Sequence, residues 1–388
     1  RIIEFTHMVM GPAAGVVLGD LGADIIRIEP TGGDSTRALR GSGAGYFPMY
    51  NRNKRSLCVD LKSDAGKKLV LELVDGADVV IENFRPGTME RLGFGYETLE
   101  ARNPGLIYCS AKGFLSGPYE NRTALDEVTQ MMGGLAYMTG PPGRPLRAGT
   151  SVVDVTGGMF GALGILAALF QRARGGDGQE VIASLFESTV FLVGQHMAQY
   201  AVMGEPAAPM PARDSAWAIY QIFDTKDDEQ VFVGIVSDKQ WVLFCEAFEL
   251  DELAADETLA TNNDRAKQKA RLVAAVQKAF QKLTKRELMD KLETAGLPFA
   301  PIGKPEELLE DPHLDASEGL LELSVTEGDR AGATMRLPAL PLSMDGRRFG
   351  VHQDIARAGE HTRGIMKELG YSDEQIDEMI SQGIVGGE

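Results

Sequence analysis

Through the first 110 residues, short apolar runs alternate with stretches whose apolar positions recur at helical spacing. Ile2–Phe5, Asp24–Ile28, Ser56–Leu61, Asp78–Ile81 and Leu106–Ser110 predict strands. Between them, Gly11-Pro12 opens a small-residue helix over Ala13–Leu21. Ser63-Asp64 caps an amphipathic helix over Ala65–Val74, and Thr88–Leu92 starts another. Strand and helix in strict alternation predict a parallel, doubly wound α/β sheet. Ligands on such sheets bind beyond the carboxyl ends of the strands. Those ends are Thr6 to Met10, Glu29-Pro30, Val59 to Lys62, Asn83-Phe84-Arg85 and Lys112-Gly113. No GxGxxG follows the first strand, which weakens a dinucleotide reading.

The stretch Arg147 to Ser188 breaks this rhythm. Asp154 is a single carboxylate in a run of small and apolar residues, followed by Gly157-Gly158 and an uncharged helix over Met159–Phe170. That helix ends in Gln171-Arg172-Ala173-Arg174 and a glycine break, with cations at its carbonyl end. Val181–Leu185 reads as a short buried strand. An acid at the edge of an apolar helix is costly to bury without a partner or a purpose. The residues alone leave two readings open. In one, Asp154 or Thr156 is an N-cap. In the other, Asp154 is a nucleophile or base held near backbone donors, away from bulk water.

Ser188–Met203 continues as an uncharged helical segment, and Pro206 to Pro211 forms a proline-rich joint. Beyond it, Ala218–Phe223 and Gln230–Val236 predict a hairpin. Lys239–Phe248, Arg265–Gln281 and Lys285–Ala295 predict amphipathic helices, and Pro298–Ile302 an extended piece. Leu321–Val325 and Thr334–Leu337 are expected to form a strand pair, and helices follow over His361–Leu369 and Ser372–Gln382. The domain borders expected from these joints are 1–205 for a large domain, 214–325 for a small one, and 326–388 for a C-terminal segment returning to the first.

The 388 residues suffice for two domains and a large core, and 44% hydrophobic with 24% charged residues is ordinary for a globular protein. No uninterrupted apolar run reaches the roughly 18 residues that span a bilayer, so no membrane partner is expected. The chain begins at Arg1 with no signal-like segment, and a few residues are expected to precede it. A net charge of −17 argues against nucleic acid as a partner, although local cations can still hold an anion. Three cysteines without metal spacing fit reduced thiols in a cytoplasmic protein. Five scattered histidines form no zinc-type pair, so no metal is expected.

Asn51-Arg52-Asn53-Lys54-Arg55-Ser56 is a compact cationic cluster in this acidic chain. It is either a solvated loop or a phosphate grip. Arg37, Arg91 and Lys112 add cations at the same sheet edge, and Phe84 offers a stacking surface. Together they suit a nucleotide-like ligand with several phosphates. No Walker loop is present, which argues against ATP hydrolysis.

Taken together these motifs have a familiar order. Gly11-Pro12, the run Gly22 to Pro30, Gly33-Asp34 with Arg37, and Asn53 to Ser56 resemble the opening of the family III coenzyme A transferases. So do Glu82 to Gly87, Lys112-Gly113-Phe114, Gly117-Pro118-Tyr119, the core Asp154 to Gln179, and Gly359-Glu360-His361-Thr362. The resemblance covers essentially the whole chain. The family, CaiB/BaiF-like, includes formyl-CoA and succinyl-CoA transferases and a branch of α-methylacyl-CoA racemases.

The resemblance implies a Rossmann-like parallel sheet in a large domain plus a smaller α+β domain. It also implies a ring-like chain forming an interlocked homodimer. It makes Asp154 the nucleophile that exchanges with CoA through a mixed anhydride and an aspartyl-CoA thioester, with acyl-CoA and a small carboxylic acid as substrates. The glycines beside Asp154 would let the thioester approach the backbone. Positions matching the family's CoA contacts are Val9, Met10, Pro30, Val59, Asp60, Leu61, Lys62, Asn83, Phe84, Arg85, Arg91, Thr123, Ala124, Leu125 and Asp126, with Arg37 and Lys112 as further cations. Several relatives carry Arg where this chain has Pro30, so Arg27, Arg37 or Arg55 would replace that contact.

The racemase branch uses a His–Asp pair where this chain reads Leu125-Asp126, and leucine moves no proton. A transferase is therefore expected over an acyl-CoA isomerase, while an intramolecular CoA transferase and a non-enzymatic CoA-binding protein stay open as alternatives. Trp217 to Phe223 is similar to the branch acting on dicarboxylic acids such as succinate, glutarate or mesaconate. Arg122 and Arg213 are candidate partners for a distal substrate carboxylate, with plain surface arginines as the alternative. His7 either lines the CoA site or is a structural histidine.

Overall fold

The computed structural model describes residues 1–213 and 215–387; the expected borders at 214 and 388 fall on residues outside that range. In chain order the first part runs β1 (Ile2–Phe5), α1 (Met10–Asp20), β2 (Ile25–Glu29), α2 (Tyr46–Tyr50), β3 (Arg55–Val59), α3 (Asp64–Asp75), β4 (Val79–Glu82), α4 (Thr88–Leu92), α5 (Tyr96–Arg102) and β5 (Ile107–Lys112). It continues with α6 (Asp126–Met132), α7 (Leu135–Thr139), α8 (Val152–Ala173), β6 (Gln179–Ser184) and α9 (Leu185–Met203). Next come β7 (Tyr220–Asp224), β8 (Gln230–Gly234), α10 (Asp238–Ala247), α11 (Asp251–Ala254), α12 (Asn262–Lys267), α13 (Lys269–Phe280), α14 (Lys285–Thr294) and β9 (Phe299–Pro301). The chain closes with α15 (Pro312–Ala316), β10 (Leu320–Ser324), β11 (Thr334–Pro338), β12 (Ser343–Met344), β13 (Arg347–Arg348), α16 (Thr362–Glu368), α17 (Asp373–Ser381) and β14 (Val385–Gly386).

These elements form two compact units, Arg1–Pro211 with Pro312–Glu388, and Ala212–Asp311. The second border lies at Pro312 rather than near 325. The reason is packing: Leu323 of β10 is buried against Phe47 and Ile355, both in the larger unit.

In the larger unit, seven strands make one sheet in the order β14-β3-β2-β1-β4-β5-β6. All neighbours pair in parallel except β14, which runs antiparallel to β3. The side-chain period of two sorts the apolar residues onto two faces. Ile3, Phe5, Ile26, Ile28, Val80 and Tyr108 pack with α3, α5, α16 and α17. Ile2, Ile25, Val79, Ile81 and Ile107 pack on the other face with Leu18 of α1 and Ala162, Ile165 and Ala168 of α8. That is why both sides of the sheet read as apolar in the sequence.

α8 begins seven residues before the expected Met159 and runs 22 residues. By length and composition it is apolar enough to cross a membrane, with a mean hydropathy of 1.8. Its uncharged stretch, between Asp154 and Arg172, is still shorter than the roughly 18 residues of an uninterrupted apolar span. One side of the helix is nevertheless occupied by the sheet and by α1.

The smaller unit is built around the antiparallel strands β7-β8-β9. Phe223, Val231, Val233, Phe244, Val276, Phe280 and Leu288 bury a separate core among its helices. The single helix expected over 265–281 is two, α12 and α13, broken at Gln268.

Candidate active site

Reading across the sheet, the strand order reverses between β1 and β4. The segments leaving β1 and β4 therefore diverge and open a crevice at their carboxyl ends. His7 to Met10, Asn83 to Pro86 and Ala111 to Gly113 line this crevice with Tyr46, residues 121–127, Ser151, Asp154 and Leu185, around a volume of about 560 Å³.

The turn from β1 into α1 is held open by side-chain chemistry. Met8 has φ 61°, a left-handed backbone that a non-glycine residue adopts only when neighbours enforce it. Asn83 does so on one side: its Oδ1 accepts the His7 N–H at 2.9 Å and its Nδ2 donates to the His7 carbonyl at 2.8 Å. The His7 ring stacks on Phe84 at 5.5 Å and 19°. Burial, acting with Arg27 and against Asp34, holds the His7 pKa below the usual histidine value. Lys112 ties β4 to β5: it pairs with Glu82 and donates to the Phe84 carbonyl at 3.0 Å.

Asp154 stands in the first turn of α8 and borders the crevice. It is not the cap. Its own backbone N–H donates at 3.0 Å, and that of Val153 at 2.8 Å, to Oδ2 of Asp126 from α6. Thr156 is not the cap either, since its hydroxyl donates back to the Val152 carbonyl at 2.7 Å. Asp126 is 4% exposed, and its other oxygen accepts from Gln130 Nε2. Gln130 Oε1 in turn accepts the Ala148 N–H at 2.9 Å, fixing the loop that leads into α8. The Asp154 carboxylate thus has no hydrogen-bond partner of its own among the described residues. Burial first, then the charges of Asp126 and Glu127, push its pKa up to about 7. The same charge acts on Tyr50, whose pKa is raised by burial and then by Asp154.

The glycines after Asp154 serve packing. A Cβ on Gly158 would stand 2.7 Å from the Met10 carbonyl oxygen, and one on Gly157 2.7 Å from Met10 Cε. They let α8 lie against α1 and so set Asp154 beside Val9 and Met10.

Of the residues anticipated for ligand binding, the crevice gathers Val9, Met10, Asn83, Phe84, Arg85, Lys112, Thr123, Ala124, Leu125, Asp126 and Asp154. Pro30 and Val59, Asp60, Leu61 and Lys62 lie outside its lining, at the carboxyl ends of β2 and β3 on the same sheet edge. Arg91 is exposed and donates to Thr88 Oγ1 at 3.0 Å. Arg37 is committed elsewhere. It chelates Glu29 at 2.8 and 2.7 Å, donates to the Ala356 carbonyl at 2.9 Å and covers the Phe47 ring at 4.0 Å. Burial opposes the charge on Glu29, yet Arg37 and Arg27 hold its pKa at about 2.

The cationic cluster is neither a solvated loop nor a grip for a ligand. Arg52 clasps Asp20 at 2.6 Å, Lys54 reaches Glu4 at 2.9 Å, and Arg55 holds Asp24 at 2.8 Å. Arg27 is buried between Glu4 and Asp34. Arg27, Arg37 and Arg55, expected to replace the cation missing at Pro30, are each already paired with carboxylates. Tyr46, Tyr50 and Ser151 were not anticipated. Tyr46 and Tyr50 sit on α2, whose place depends on Phe47 packing against Leu323 and Ile355 nearly 300 residues away in sequence. Arg213 belongs to the smaller unit.

The family described as CoA-transferase family III matches residues 1–362. A succinate–glutarate CoA-transferase from Agrobacterium fabrum is 33% identical over 95% of this chain and 94% of its own. An acetyl-CoA:oxalate CoA-transferase from Acetobacter aceti is 35% identical over 89% of this chain and 88% of its own. Among solved structures, a CaiB/BaiF family protein from Brucella suis superposes with a TM-score of 0.82 at 31% identity, covering 95% of this chain and 97% of that one.

Proposed function

The chain belongs to CoA-transferase family III and is an acyl-CoA:carboxylate CoA-transferase, and from that premise we propose that Asp154 carries the CoA between acids. The observation behind this reading is the Asp154 carboxylate itself. It borders the strand-switch crevice, has no hydrogen-bond partner of its own, and has a pKa raised to about 7. A carboxylate with a raised pKa is a stronger nucleophile than an ordinary one, while remaining substantially ionised near neutrality.

In this scheme an Asp154 oxygen attacks the thioester carbonyl and the C–S bond breaks, giving a mixed anhydride and CoA thiolate. The thiolate attacks the aspartyl carbonyl, the donor acid leaves, and an aspartyl-CoA thioester remains. The acceptor carboxylate attacks that thioester, forming a second anhydride and freeing the thiolate again. Thiolate attack on the acceptor's acyl carbon yields the new acyl-CoA and restores Asp154. Every step exchanges a carboxylate for a thiolate, so no net proton or electron is needed. The Asp126 cap keeps the first turn of α8, and with it Asp154, in register throughout.

The diphosphate and adenine of CoA would extend from the crevice along the sheet edge past Asn83, Phe84 and Arg85, where Arg85 carries no ion pair among the described residues. Dicarboxylic acceptors are favoured by the relatives, which are named for succinate, glutarate and oxalate. A homodimer is supported by apolar side chains left uncovered on α8 and α9, among them Leu163, Phe170, Phe191 and Val202, the last 85% exposed. A cytoplasmic setting suits the three free, buried cysteines. The isomerase alternative gains nothing from the crevice at Leu125, which lines the wall where that chemistry would need a base.

The test is direct. Incubation with acyl-CoA alone should add a hydroxylamine-sensitive mass to the peptide holding Asp154. Transfer activity without any such adduct, under rapid quench, rejects the covalent route.

A further inference from the structure

Three cations border the crevice, and they differ in what they already hold. Lys112 is spent on Glu82 and the Phe84 carbonyl. Arg85 and Arg122 make no ion pair among the described residues. Arg122 differs from Arg85 in being mounted on an aromatic base. Its guanidinium carbon lies 4.6 Å from the centre of the Tyr119 ring. Tyr119 packs edge-on against Phe114 at 5.8 Å and Phe186 at 6.4 Å, and those two rings meet at 5.5 Å. The Arg122 N–H also donates to the Tyr119 carbonyl at 2.8 Å. A cation stacked by its face keeps its edge N–H groups free for a carboxylate, and much of the entropy of ordering it is already met.

The placement along the chain supplies the second part of the argument. From Arg122 the chain runs to Leu125, which is extended (φ −139°, ψ 165°) and 61% exposed, and then to Asp126, which holds the Asp154 N–H. Four residues of extended chain span at most about 14 Å. Along one wall the crevice therefore offers a free cation, an apolar side chain and the reactive end, in that order. A short dicarboxylic acid presents a carboxylate, methylene groups and a second carboxylate.

Charge makes the cation necessary. Asp154 and Asp126 border this crevice with no ion pair among the described residues, and Glu127 borders it paired with Arg147, in a chain with net charge −17. A dianionic acid entering it is repelled unless an unpaired cation meets its far end. The CoA phosphates are a poorer match for Arg122. The whole pantetheine arm separates them from the thioester, whereas the Arg122 loop leads directly into the residue that holds Asp154.

We propose that Arg122 determines the choice of acid. It pairs with the remote carboxylate of a four- or five-carbon dicarboxylic substrate while the near carboxyl reacts at Asp154. This inference rests on the Asp154 reading above.

The experiment uses the full chain with acetyl-CoA, a donor lacking a second carboxylate. KM is measured for succinate against butyrate and for glutarate against valerate, in wild type, Arg122→Met and Arg122→Lys. Arg122→Met should raise KM for both diacids roughly ten- to a hundredfold. It should leave KM for acetyl-CoA within about twofold, so that the preference over the matched monoacids collapses; Arg122→Lys should retain part of it. An unchanged preference overturns the proposal, as does an equal loss on mono- and diacids, or a loss confined to KM for acetyl-CoA, which would mark a phosphate contact. The Asp154 adduct is measured in parallel. If it forms normally in Arg122→Met and the preference persists, Arg122 alone is wrongly assigned. If wild type forms no adduct, both readings fall.

Discussion

Asp126 holds Asp154 by its backbone: a single carboxylate oxygen of Asp126 accepts the N–H groups of Val153 at 2.8 Å and of Asp154 at 3.0 Å. One acid thus orders the helix turn that carries another, and its charge adds to the burial that raises the second acid's pKa. Asp126→Asn should separate these effects. It retains an acceptor oxygen but removes the charge, so the Asp154 pKa should fall and the acid limb of the pH–rate profile should move to lower pH. Asp126→Ala removes both and leaves two helix N–H groups without their acceptor, at a cost of about 1–3 kcal/mol in urea unfolding. An acid limb that stays in place in Asp126→Asn would show that burial alone sets the pKa.

Asp154 makes the wild-type profile asymmetric. With its pKa raised to about 7, the nucleophilic form is lost as pH falls, and kcat/KM should drop roughly tenfold per unit well below that value. Stability should run the other way. The folded protein holds this proton up to about pH 7, whereas the unfolded chain releases it near the ordinary aspartate value of 3.8. Between those pH values the native state binds more protons, so the contribution of Asp154 to stability declines as pH rises and is fully unfavourable above about 7. Asp154→Asn should therefore abolish transfer while raising Tm by a few degrees at pH 8 and hardly at all near pH 4. Equal Tm shifts at both pH values would contradict the burial argument.

Close contact between α1 and α8 is the next point of sensitivity. Alanine is ordinarily favoured over glycine inside a helix by about 1 kcal/mol. At Gly158 that preference should reverse, because the added methyl would stand 2.7 Å from the Met10 carbonyl oxygen, a backbone atom that cannot swing aside. Gly158→Ala is expected to destabilise by about 1–3 kcal/mol in urea unfolding. It should also lower kcat, since Asp154 and Met10 move apart. A variant as stable and as active as wild type would contradict the close contact of α1 and α8.

What the chain's pattern revealed depended on how far each cause reaches. The parallel strands were legible because Ile2, Ile3, Ile25, Ile26, Val79 and Val80 are apolar toward both covered faces, a local property. Asp154 stood out as one acid in an apolar run. The start of α8 did not, because its cap is Asp126, 28 residues away, and no local cue marks an acceptor from another helix. The cations of residues 52–55 were visible as charge, but their partners Asp20, Glu4 and Asp24 lie 31 to 50 residues earlier. Only the folded sheet reveals that they are neutralised. β14 is two residues long and pairs with β3 from the far end of the chain, so nothing in its own residues announced it.

The last prediction turns on which arginine meets the phosphates. Arg37 and Arg85 look alike as charges near strand ends, yet one is enclosed and the other exposed. Arg37 is fixed to Glu29, Ala356 and Phe47, so Arg37→Met leaves a buried carboxylate held by Arg27, the Ser56 hydroxyl and the Asp34 N–H without its bidentate partner. The cost should be about 3 kcal/mol of stability, within the range for breaking a buried pair. KM for acyl-CoA should change less than about threefold at a temperature where the variant is folded, since no phosphate contact is lost. Arg85→Met should do the reverse: little change in Tm, and KM for acyl-CoA raised about tenfold, as expected for a lost charge-assisted bond. Because an exposed cation acts through screened attraction, that penalty should shrink as salt is raised from 0.05 to about 0.5 M. If Arg37→Met instead carries the salt-sensitive rise in KM, the phosphates lie toward β2 rather than β4.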